Sequence, residues 1–305
     1  MKAFITGATG FVGAQLCKRL TDEGIEVFAL TRQGEIHNAI SSDVTVVSGN
    51  PMEDGIWYDA VADCDIVINL AGSPIFTKWN AQSKKLIRDS RVLTTRSLVN
   101  ALVRHRKDKK TVLISTSATG YYGGTGQDLV DEHTAAGSDF LAKTAQEWEA
   151  AAMTAKSAGI RVVITRFGVV LGKNGGALKA MLPAFKFNLG SPLGSGKQWF
   201  PWIHIEDLLE IFSFIIKNDK IEGPVNCTSP SVVNNSDFSR ALAEALGKFY
   251  FLPSVPEFIV RLALGEVSTV VMQGQRTVPQ KLISNGFRFK YTGIDGALRD
   301  IFSGS

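Results

Sequence analysis

The sequence predicts an α/β fold, a doubly wound parallel sheet with a smaller C-terminal lobe. Three observations predict it: a glycine-rich turn near the N-terminus, apolar runs that alternate with amphipathic segments, and a rise in glycine and proline after about residue 172. Apolar strands that alternate with helices are typical of a parallel sheet covered on both faces. Ligands of such sheets bind beyond the carboxyl ends of the strands, so the loops after the strands are the informative ones.

The glycine-rich turn occupies residues 6–13, TGATGFVG, between an apolar run and an amphipathic segment. It therefore connects a strand to a helix. Gly7 permits a sharp turn, Gly10 lets a pyrophosphate approach the backbone, and Gly13 lets the helix pack closely on the sheet. Free N–H groups at the start of the helix would face the phosphates. The turn thus predicts a Rossmann-like dinucleotide site. Its cofactor-binding residues would be Gly7, Thr9, Gly10, Phe11, Val12 and Gly13.

The rest of the sheet follows from short apolar runs. Strands are predicted over residues 3–5, 26–31, 44–48, 65–70, 111–115 and 161–166. Helices are predicted over residues 80–104, 140–158 and 206–216, where apolar positions recur at helical spacing. We expect a dinucleotide-binding domain over residues 1–171, which shares later segments, and a substrate lobe mainly over residues 172–305.

Composition and charge exclude several classes of protein. The chain has 305 residues, 45% of them hydrophobic, and a net charge of +4. The basic residues are spread along the chain except for a cluster at 104–110, which favours a solvated loop over a nucleic-acid patch. No His, Cys and carboxylate set has metal-ligand spacing, and no nucleophile elbow suggests a hydrolase.

The cysteines and the N-terminus bear on the compartment. Cys17, Cys64 and Cys227 are far apart in apolar settings, which predicts buried free thiols in a reducing compartment. We see no signal peptide and no apolar run long enough to span a bilayer. The sequence therefore predicts a cytoplasmic protein without a membrane or nucleic-acid partner.

The end of the second strand bears on the choice of cofactor. NAD-binding proteins of this kind place an acidic residue there, which accepts a hydrogen bond from the ribose 2′-hydroxyl. Thr31 and Arg32 stand there instead, and the first acidic residue after them is Glu35. An arginine can hold a 2′-phosphate, although a solvated loop arginine is the simpler interpretation. We favour the first, and predict NADP(H) as the cofactor. Further cofactor-binding residues would be Leu70, Ala71 and Gly72 after the fourth strand and Ser115 at the end of the fifth.

With these residues in view, the chain resembles the extended short-chain dehydrogenase/reductase superfamily, which includes sugar-nucleotide epimerases and dehydratases. The resemblance is carried by the glycine turn, by the stretches 70–72 (LAG), 115–123 (STSATGYYG) and 166–168 (RFG), and by 202–208 (WIHIEDL). More narrowly, the chain resembles an atypical subgroup called epimerase family proteins. The marks of that subgroup are Ser90-Arg91, 120–123, 139–141, Trp148-Glu149, 175–178 and a C-terminal domain of unknown function from about Leu252. The resemblance implies a small-molecule substrate and allows a homodimer.

One departure from the superfamily bears on catalysis. Its enzymes pair a serine or threonine with Tyr-x-x-x-Lys on the following helix, where the tyrosine exchanges a proton and the lysine lowers its pKa and holds the nicotinamide ribose. Ser117 fits the serine, but Phe140 stands at the tyrosine position and Thr144 at the lysine position. Phe140 has no proton to give. Lys143 is one residue off, about a hundred degrees round the helix, so it should point elsewhere. The standard catalytic group is therefore not expected, although cofactor binding is.

Other residues of the predicted cleft have two interpretations each. Tyr121 or Tyr122 could supply the missing proton together with Ser117, or both could form an aromatic wall. Glu132 could lie near the substrate, cap a helix or lie on the surface. We expect His204 to be a satisfied, partly buried histidine rather than a base. Gln198, Trp199, Trp202 and the loop 190–196 could line a flat polar substrate, although packing of the lobe is the simpler role for the tryptophans.

Two functions are compatible with these residues. The first is an NADP-dependent reductase or epimerase that acts on a small polar carbonyl or hydroxyl compound. The second is a non-catalytic NADP(H)-binding module that reports redox state to a protein partner. The absent tyrosine and lysine favour the second, whereas Ser117, the tyrosine pair and the glycine-rich lobe favour the first. We favour the enzyme. Substrate specificity depends on lobe side chains whose arrangement a sequence does not give.

Overall fold

The computed structural model describes residues 1–32, 43–105, 110–173 and 175–303. Its strands are β1 (Lys2–Thr6), β2 (Glu26–Thr31), β3 (Thr45–Ser48), β4 (Ile66–Asn69), β5 (Val112–Ala118), β6 (Leu129–Val130), β7 (Arg161–Phe167), β8 (Val169–Leu171), β9 (Trp199–Phe200), β10 (Trp202–His204), β11 (Gly223–Cys227), β12 (Val233–Asn234) and β13 (Arg276–Thr277). Its helices are α1 (Phe11–Asp22), α2 (Trp57–Ala62), α3 (Ala81–His105), α4 (Phe140–Met153), α5 (Gly176–Lys186), α6 (Ile205–Lys217), α7 (Asn235–Ala245), α8 (Glu257–Leu264), α9 (Ser268–Met272), α10 (Gln280–Ser284) and α11 (Ile294–Phe302).

The central sheet has seven parallel strands in the order β11-β7-β5-β4-β1-β2-β3. The chain enters at β1, runs outward to β3, and then returns to β4 on the other side of β1. The strand order thus reverses between β1 and β4, whose carboxyl ends meet in register at Thr6 and Asn69. This is the doubly wound fold that the sequence predicts, and it places the glycine turn at the reversal point, where ligands of such sheets bind.

The main difference from the predicted sheet is its seventh strand. The prediction omits β11, which pairs with β7 at the edge of the sheet. Its five residues, GPVNC, include Pro224, and proline is confined to edge strands or strand starts because it has no N–H to donate. The predicted strand at 111–115 also ends three residues early, since β5 continues to Ala118 by pairing with Phe167 of β7.

Apolar side chains cover both faces of the sheet. On one face, Ile5 of β1 packs in a buried cluster with residues of α1 and α6 such as Leu16 and Phe212. On the other face, Phe4 packs with residues of α2 and α3, and its ring centroid lies 5.8 Å from that of Trp57. Alternate residues of β1 therefore enter opposite layers, as a sheet buried on both sides requires.

Two predicted helices have boundaries set by local polar contacts. The helix predicted over 140–158 is an α-helix only to Met153, and a 3₁₀ turn, Thr154–Ala158, completes it before Gly159 (φ 71°). Asp139 begins α4, since its carboxylate accepts a hydrogen bond of 2.9 Å from the Ala142 N–H. His204 begins α6 in the same way, through Nδ1 and the Glu206 N–H at 3.2 Å.

A third apolar cluster lies among the C-terminal elements, where Trp202, Phe238 and Leu298 are buried. The division at residue 171 stays a prediction, and β11 is one later segment that joins the main sheet. The free thiols of Cys17, Cys64 and Cys227 are buried, as predicted. In the described ranges, no helix combines the length and apolarity needed to cross a bilayer. Most of the basic cluster at 104–110 lies outside the described residues.

Candidate functional site

The backbone of the glycine turn is held close to the loop after β4. Gly7 has φ 71°, and a Cβ there would lie 2.7 Å from the carbonyl carbon of Leu70. A Cβ on Gly13 would lie 2.2 Å from the Gly7 oxygen, so α1 packs directly on the turn. A Cβ on Gly10 would meet only that oxygen, at 3.2 Å. Gly7 and Gly13 are thus required by backbone packing, whereas Gly10 leaves open space in front of the start of α1.

Two cavities meet at this turn. The β5 cavity, of about 360 Å³, extends towards Ser117 and α4. The β2 cavity, of about 830 Å³, extends towards Arg32 and the residues after β3. The residues that line both cavities are Gly7, Gly10, Leu70, Ala71 and Gly72. The two cavities therefore form one elongated cleft across the carboxyl ends of the strands. A cleft with this shape, and with no side chain in front of Gly10, fits a dinucleotide.

Asn69 fixes the loop that forms the shared wall. Its side-chain oxygen accepts hydrogen bonds from the Thr6 hydroxyl at 2.8 Å and from the Ala71 N–H at 3.3 Å. Its amide donates to the hydroxyl of Thr95 at 2.8 Å and to that of Ser115 at 3.5 Å. The predicted cofactor residue Ser115 is therefore buried beneath the cleft and lines neither cavity.

The remaining predicted cofactor residues divide between the two ends. Thr9 and Arg32 line the β2 cavity, and Arg32 is exposed at the end of β2 beside Asn50 and Met52. Phe11, Val12 and Gly13 line the β5 cavity. Glu35, the first carboxylate after Arg32, lies outside the described residues.

Ser117 lies in the β5 cavity and is held from behind by a buried ion pair. Ser117 and Arg166 are partners in the register of β5 and β7, so their side chains emerge side by side. Glu149 of α4 lies between them. Its carboxylate accepts from the Ser117 hydroxyl at 2.7 Å, and from Nε and Nη2 of Arg166 at 2.8 Å each. Glu149 and Arg166 are both buried. The hydroxyl of Ser117 is therefore held in place by residues of the core.

Tyr122 extends this network away from the cavity. Its hydroxyl accepts a hydrogen bond from Nη1 of Arg166 at 2.9 Å and donates one to the Asn226 side chain of β11 at 2.8 Å. Burial raises the pKa of Tyr122 to about 12. Tyr122 does not line the β5 cavity, and its only proton is used within the protein.

Tyr121 has a different environment. Its ring stacks on the guanidinium of Arg166, whose Cζ lies 3.5 Å from the ring centroid. It is half-buried, and like Tyr122 it lines neither cavity, although the preceding residue, Gly120, lines the β5 cavity. Its hydroxyl has no hydrogen-bond partner in the part of the chain that the structure describes. The structure therefore separates the two tyrosines that the sequence leaves equivalent.

Helix α4 carries Phe140 and Thr144 at the superfamily's tyrosine and lysine positions, and Lys143 points elsewhere, as expected. Thr144 lines the β5 cavity, and its hydroxyl donates to the Phe140 carbonyl at 2.8 Å. Lys143 is exposed on the far side of the helix. Phe140 packs edge-on against Trp79, with 5.1 Å between ring centroids, and does not line the cavity. No side chain of α4 brings a positive charge into the cleft.

Arg91 of α3 lines the β5 cavity and has no assigned role in the sequence analysis. The signal available there was the pair Ser90-Arg91, noted only as a family mark. Its guanidinium carbon lies 5.3 Å from the ring centroid of Trp148, another cavity residue. Helix α3 therefore contributes a cation to the cleft.

Several other candidates have structural positions. Glu132 is buried rather than on the surface. It accepts from the backbone N–H of Asn226 at 3.0 Å and from that of Lys281, in the first turn of α10, at 3.2 Å, which agrees with the helix-capping alternative. His204 is fully rather than partly buried, and only half satisfied. Its Nδ1 caps α6, whereas Nε2 has no hydrogen-bond partner among the described residues and lies 3.5 Å from a carboxylate oxygen of Asp300. Trp202 is fully buried and donates to the Ser231 carbonyl at 2.9 Å. Gln198 bonds two backbone carbonyls.

Comparison with known proteins agrees with this geometry. The model of the NAD dependent epimerase/dehydratase family matches residues 3–227. The chain belongs to this family. A domain of unknown function, DUF1731, matches residues 255–301, close to the predicted start at about Leu252. The resemblance found in the sequence is thus confirmed, and the two matches cover the cleft and the C-terminal elements respectively.

Relatives in the family carry the same general name. "Epimerase family protein SDR39U1 homolog, chloroplastic" of Arabidopsis thaliana is 38% identical over 302 residues, which are 99% of this chain and 86% of the relative. "Epimerase family protein YfhF" of Bacillus subtilis is 37% identical over 304 residues, 99% of this chain and 98% of the relative. Because the plant relative is described as chloroplastic, the cytoplasmic location stays a prediction for this chain.

Solved structures extend the comparison. Human epimerase family protein SDR39U1 (isoform 2), crystallised with NADPH, is 29% identical, with a TM-score of 0.87 over 100% of both chains. The predicted cofactor, NADP(H), agrees with the NADPH in that structure. UDP-glucose 4-epimerase of Thermus thermophilus, in complex with NAD, is 18% identical with a TM-score of 0.76 over 100% of both chains, which shows a common fold.

Proposed function

We propose that this protein is an NADP(H)-dependent reductase or epimerase that acts on a small polar carbonyl or hydroxyl compound without a Tyr-x-x-x-Lys group. The observation that carries the proposal is the position of Ser117, in the β5 cavity beside the glycine turn, with its hydroxyl fixed by the buried pair of Glu149 and Arg166. A hydroxyl held at one fixed place in a cofactor cleft is suited to orienting a reacting oxygen.

The shape of the cleft supports an assignment of the two ends of the cofactor. Arg32 in the β2 cavity would hold the 2′-phosphate of the adenosine half. The N–H groups at the start of α1, in front of Gly10, would face the pyrophosphate. The nicotinamide half would then occupy the β5 cavity beside Ser117 and Thr144. When bound there, the cofactor supplies or accepts a hydride at the substrate carbon.

The hydrogen bonds within the protein indicate which hydroxyl groups have a proton available for the substrate. Ser117 donates its only proton to Glu149, so towards the cavity it offers lone pairs and accepts a hydrogen bond. The proton of Tyr122 is given to Asn226. Tyr121 is the phenol that keeps an unshared proton among the described residues near the site. We therefore assign proton donation to Tyr121, with Ser117 as the positioning acceptor and Tyr122 as support for Arg166.

The test uses NADPH oxidation with a panel of small carbonyl compounds. Tyr121→Phe should lower the rate by about 10²–10⁴-fold, because it removes the general acid. Its NADPH affinity should be unchanged, since Tyr121 lines neither of the cavities that would hold the cofactor. A Tyr121→Phe enzyme that kept the full rate with every accepted substrate would contradict this assignment.

A second function is favoured by one observation. Thr144 and Phe140 leave α4 without the superfamily's proton donor and cation. If no compound in the panel changed the redox state of the bound cofactor, the protein would be a non-catalytic NADP(H)-binding module that acts through a protein partner. Pull-down experiments with NADP⁺-loaded and NADPH-loaded protein would then differ in the partner they retain.

A further inference from the structure

Arg91 is a cation with no counter-ion among the residues that the structure describes. Its Nη1 donates to the Ile87 carbonyl, one turn earlier in α3, at 2.9 Å. No carboxylate forms an ion pair with it within residues 1–32, 43–105, 110–173 and 175–303. Burial lowers the pKa of Arg91 to about 10, so the side chain is still protonated at neutral pH. A guanidinium has five N–H donors, and most of those on Arg91 have no partner in the described part of the chain.

Three other buried or half-buried arginines have partners within the protein. Arg166, which is more deeply buried than Arg91, has the bidentate carboxylate of Glu149. Arg88, one turn before Arg91 on the same helix, pairs with Glu147 and Asp89. Arg161 donates to the backbone carbonyls of three residues. A partly buried charge is costly to leave unpaired. An anion from outside the chain would therefore be stabilised at Arg91.

The position of Arg91 identifies which anion. A Cβ placed on Gly72 would lie 3.1 Å from the guanidinium carbon of Arg91. Gly72, Gly7 and Gly10 all line both cavities, whereas Arg91 itself lines only the β5 cavity, so the guanidinium lies beside Gly72 on the β5 side of their junction. A dinucleotide that extends through both cavities crosses this junction with its pyrophosphate, which joins the two nucleotide halves.

A second donor lies along the same wall. Trp148 lines the β5 cavity and is only 6% exposed, and its indole N–H has no hydrogen-bond partner among the described residues. Arg91 packs over its ring, which fixes the guanidinium. Trp148 follows Thr144 by one helical turn, so the cation of α3 stands close to the position where α4 lacks one.

We propose that Arg91 binds the pyrophosphate of NADP(H), and that α3 thereby brings to the cofactor a positive charge that α4 does not. The fork of the guanidinium suits phosphate oxygens, because its N–H groups form paired, charge-assisted hydrogen bonds. The glycine turn contributes N–H groups without a formal charge, and Arg91 adds the charge. The alternative ligand of Arg91 is a carboxylate or phosphate group of the substrate.

The test compares ligands that contain and lack the pyrophosphate. Arg91→Gln should weaken NADPH binding by about 10- to 100-fold in calorimetry, since it removes hydrogen bonds to a charged group. Binding of 2′-AMP, which has the adenosine and the 2′-phosphate alone, should be unchanged. Arg88→Gln, the same substitution one turn earlier, should leave both affinities unchanged. Melting of the ligand-free variants controls for folding.

Three results would overturn the proposal. Unchanged NADPH affinity in Arg91→Gln would assign the arginine to a substrate anion instead. Equal losses for NADPH and 2′-AMP would assign it to the adenosine end or to the fold. Arg91→Lys keeps the charge and the aliphatic stem, so it should fold even if the glutamine variant does not. It should lose less NADPH affinity than Arg91→Gln, and an equal loss would show that the charge is not what the cofactor needs.

Discussion

The hydroxyl of Ser117 donates a hydrogen bond of 2.7 Å to the carboxylate of Glu149, 32 residues later in the chain. The same carboxylate holds Arg166 of β7 in a bidentate pair. The residue that would orient a substrate is therefore fixed by an ion pair between a helix and a strand of the core. This relationship gives the site a rigid base and links its geometry to the stability of the fold.

The first prediction concerns this pair. Glu149→Gln leaves the guanidinium of Arg166 buried without a negative partner, which costs about 3–5 kcal/mol for pairs of this kind. We expect that loss in the free energy of unfolding measured with urea. Glu147→Gln is the matched control on the same helix. Glu147 pairs with Arg88 at the surface, where removal of one partner changes stability by about 1 kcal/mol or less. Similar losses in the two variants would contradict the structural role of the buried pair.

The second prediction concerns the cofactor preference. Arg32→Ala should weaken NADPH binding by about 1.5–3 kcal/mol, the usual contribution of hydrogen bonds to a charged group. Affinity for NADH should be unchanged, because NADH has no 2′-phosphate. Calorimetry with both cofactors on both proteins measures the difference directly. Equal affinities for NADPH and NADH in the unmodified protein would show that Arg32 is a solvated loop residue.

The third prediction separates two glycines of the turn. Gly10→Val should abolish NADPH binding and cost about 1 kcal/mol of stability, because its side chain would occupy the space in front of α1 rather than the core. Gly13→Ala should instead destabilise the apo protein by about 1–3 kcal/mol, because its Cβ has no room beside the Gly7 oxygen. Thermal melting and cofactor titration of both variants test this. If the valine variant bound NADPH normally, the phosphate site would lie elsewhere.

The fourth prediction concerns pH. Burial, partly opposed by the charges of Glu206, Asp300 and Asp207, lowers the pKa of His204 below its usual 6.5. The unfolded chain then binds this proton more readily than the folded chain, so stability should decrease as the pH falls below 6.5. Protonation of Nδ1 would also remove the acceptor that caps α6 through the Glu206 N–H.

The variant His204→Asn isolates this effect. Asparagine caps a helix and does not titrate, so the urea midpoint of the variant should change less than that of the wild type between pH 7.5 and 5.5. His133→Asn, at an exposed position, should keep the wild-type dependence. An unchanged pH dependence in His204→Asn would assign the acid sensitivity to other groups.

The sequence is sufficient where function depends on local spacing. The positions of Gly7, Gly10 and Gly13 predict the turn and its contacts because all three act within one strand–turn–helix unit. The register of α4 predicts that Lys143 points away from the cleft, because helical periodicity alone decides it. The doubly wound parallel arrangement also follows, since the alternation of strands and helices leaves few topologies open.

The sequence is insufficient where partners meet only in the folded chain. Tyr122 and Asn226 are 104 residues apart, and no local pattern predicts that β11 brings them together. The difference between Tyr121 and Tyr122 depends on which ring faces Arg166 and which hydroxyl reaches Asn226. Arg91 looks like an ordinary helix arginine until the absence of an acidic neighbour in the described structure is known.

The bidentate pair between Glu149 and Arg166 also constrains how this sequence can change over evolutionary time. A substitution at either position passes through a protein that contains a lone buried charge, and most such intermediates would be lost. The two positions should therefore change together or not at all among homologues, with Tyr122 drawn into the same covariation through its bond to Arg166. Surface pairs such as Arg88 and Glu147 should differ more often among homologues, because their residues can be exchanged one at a time.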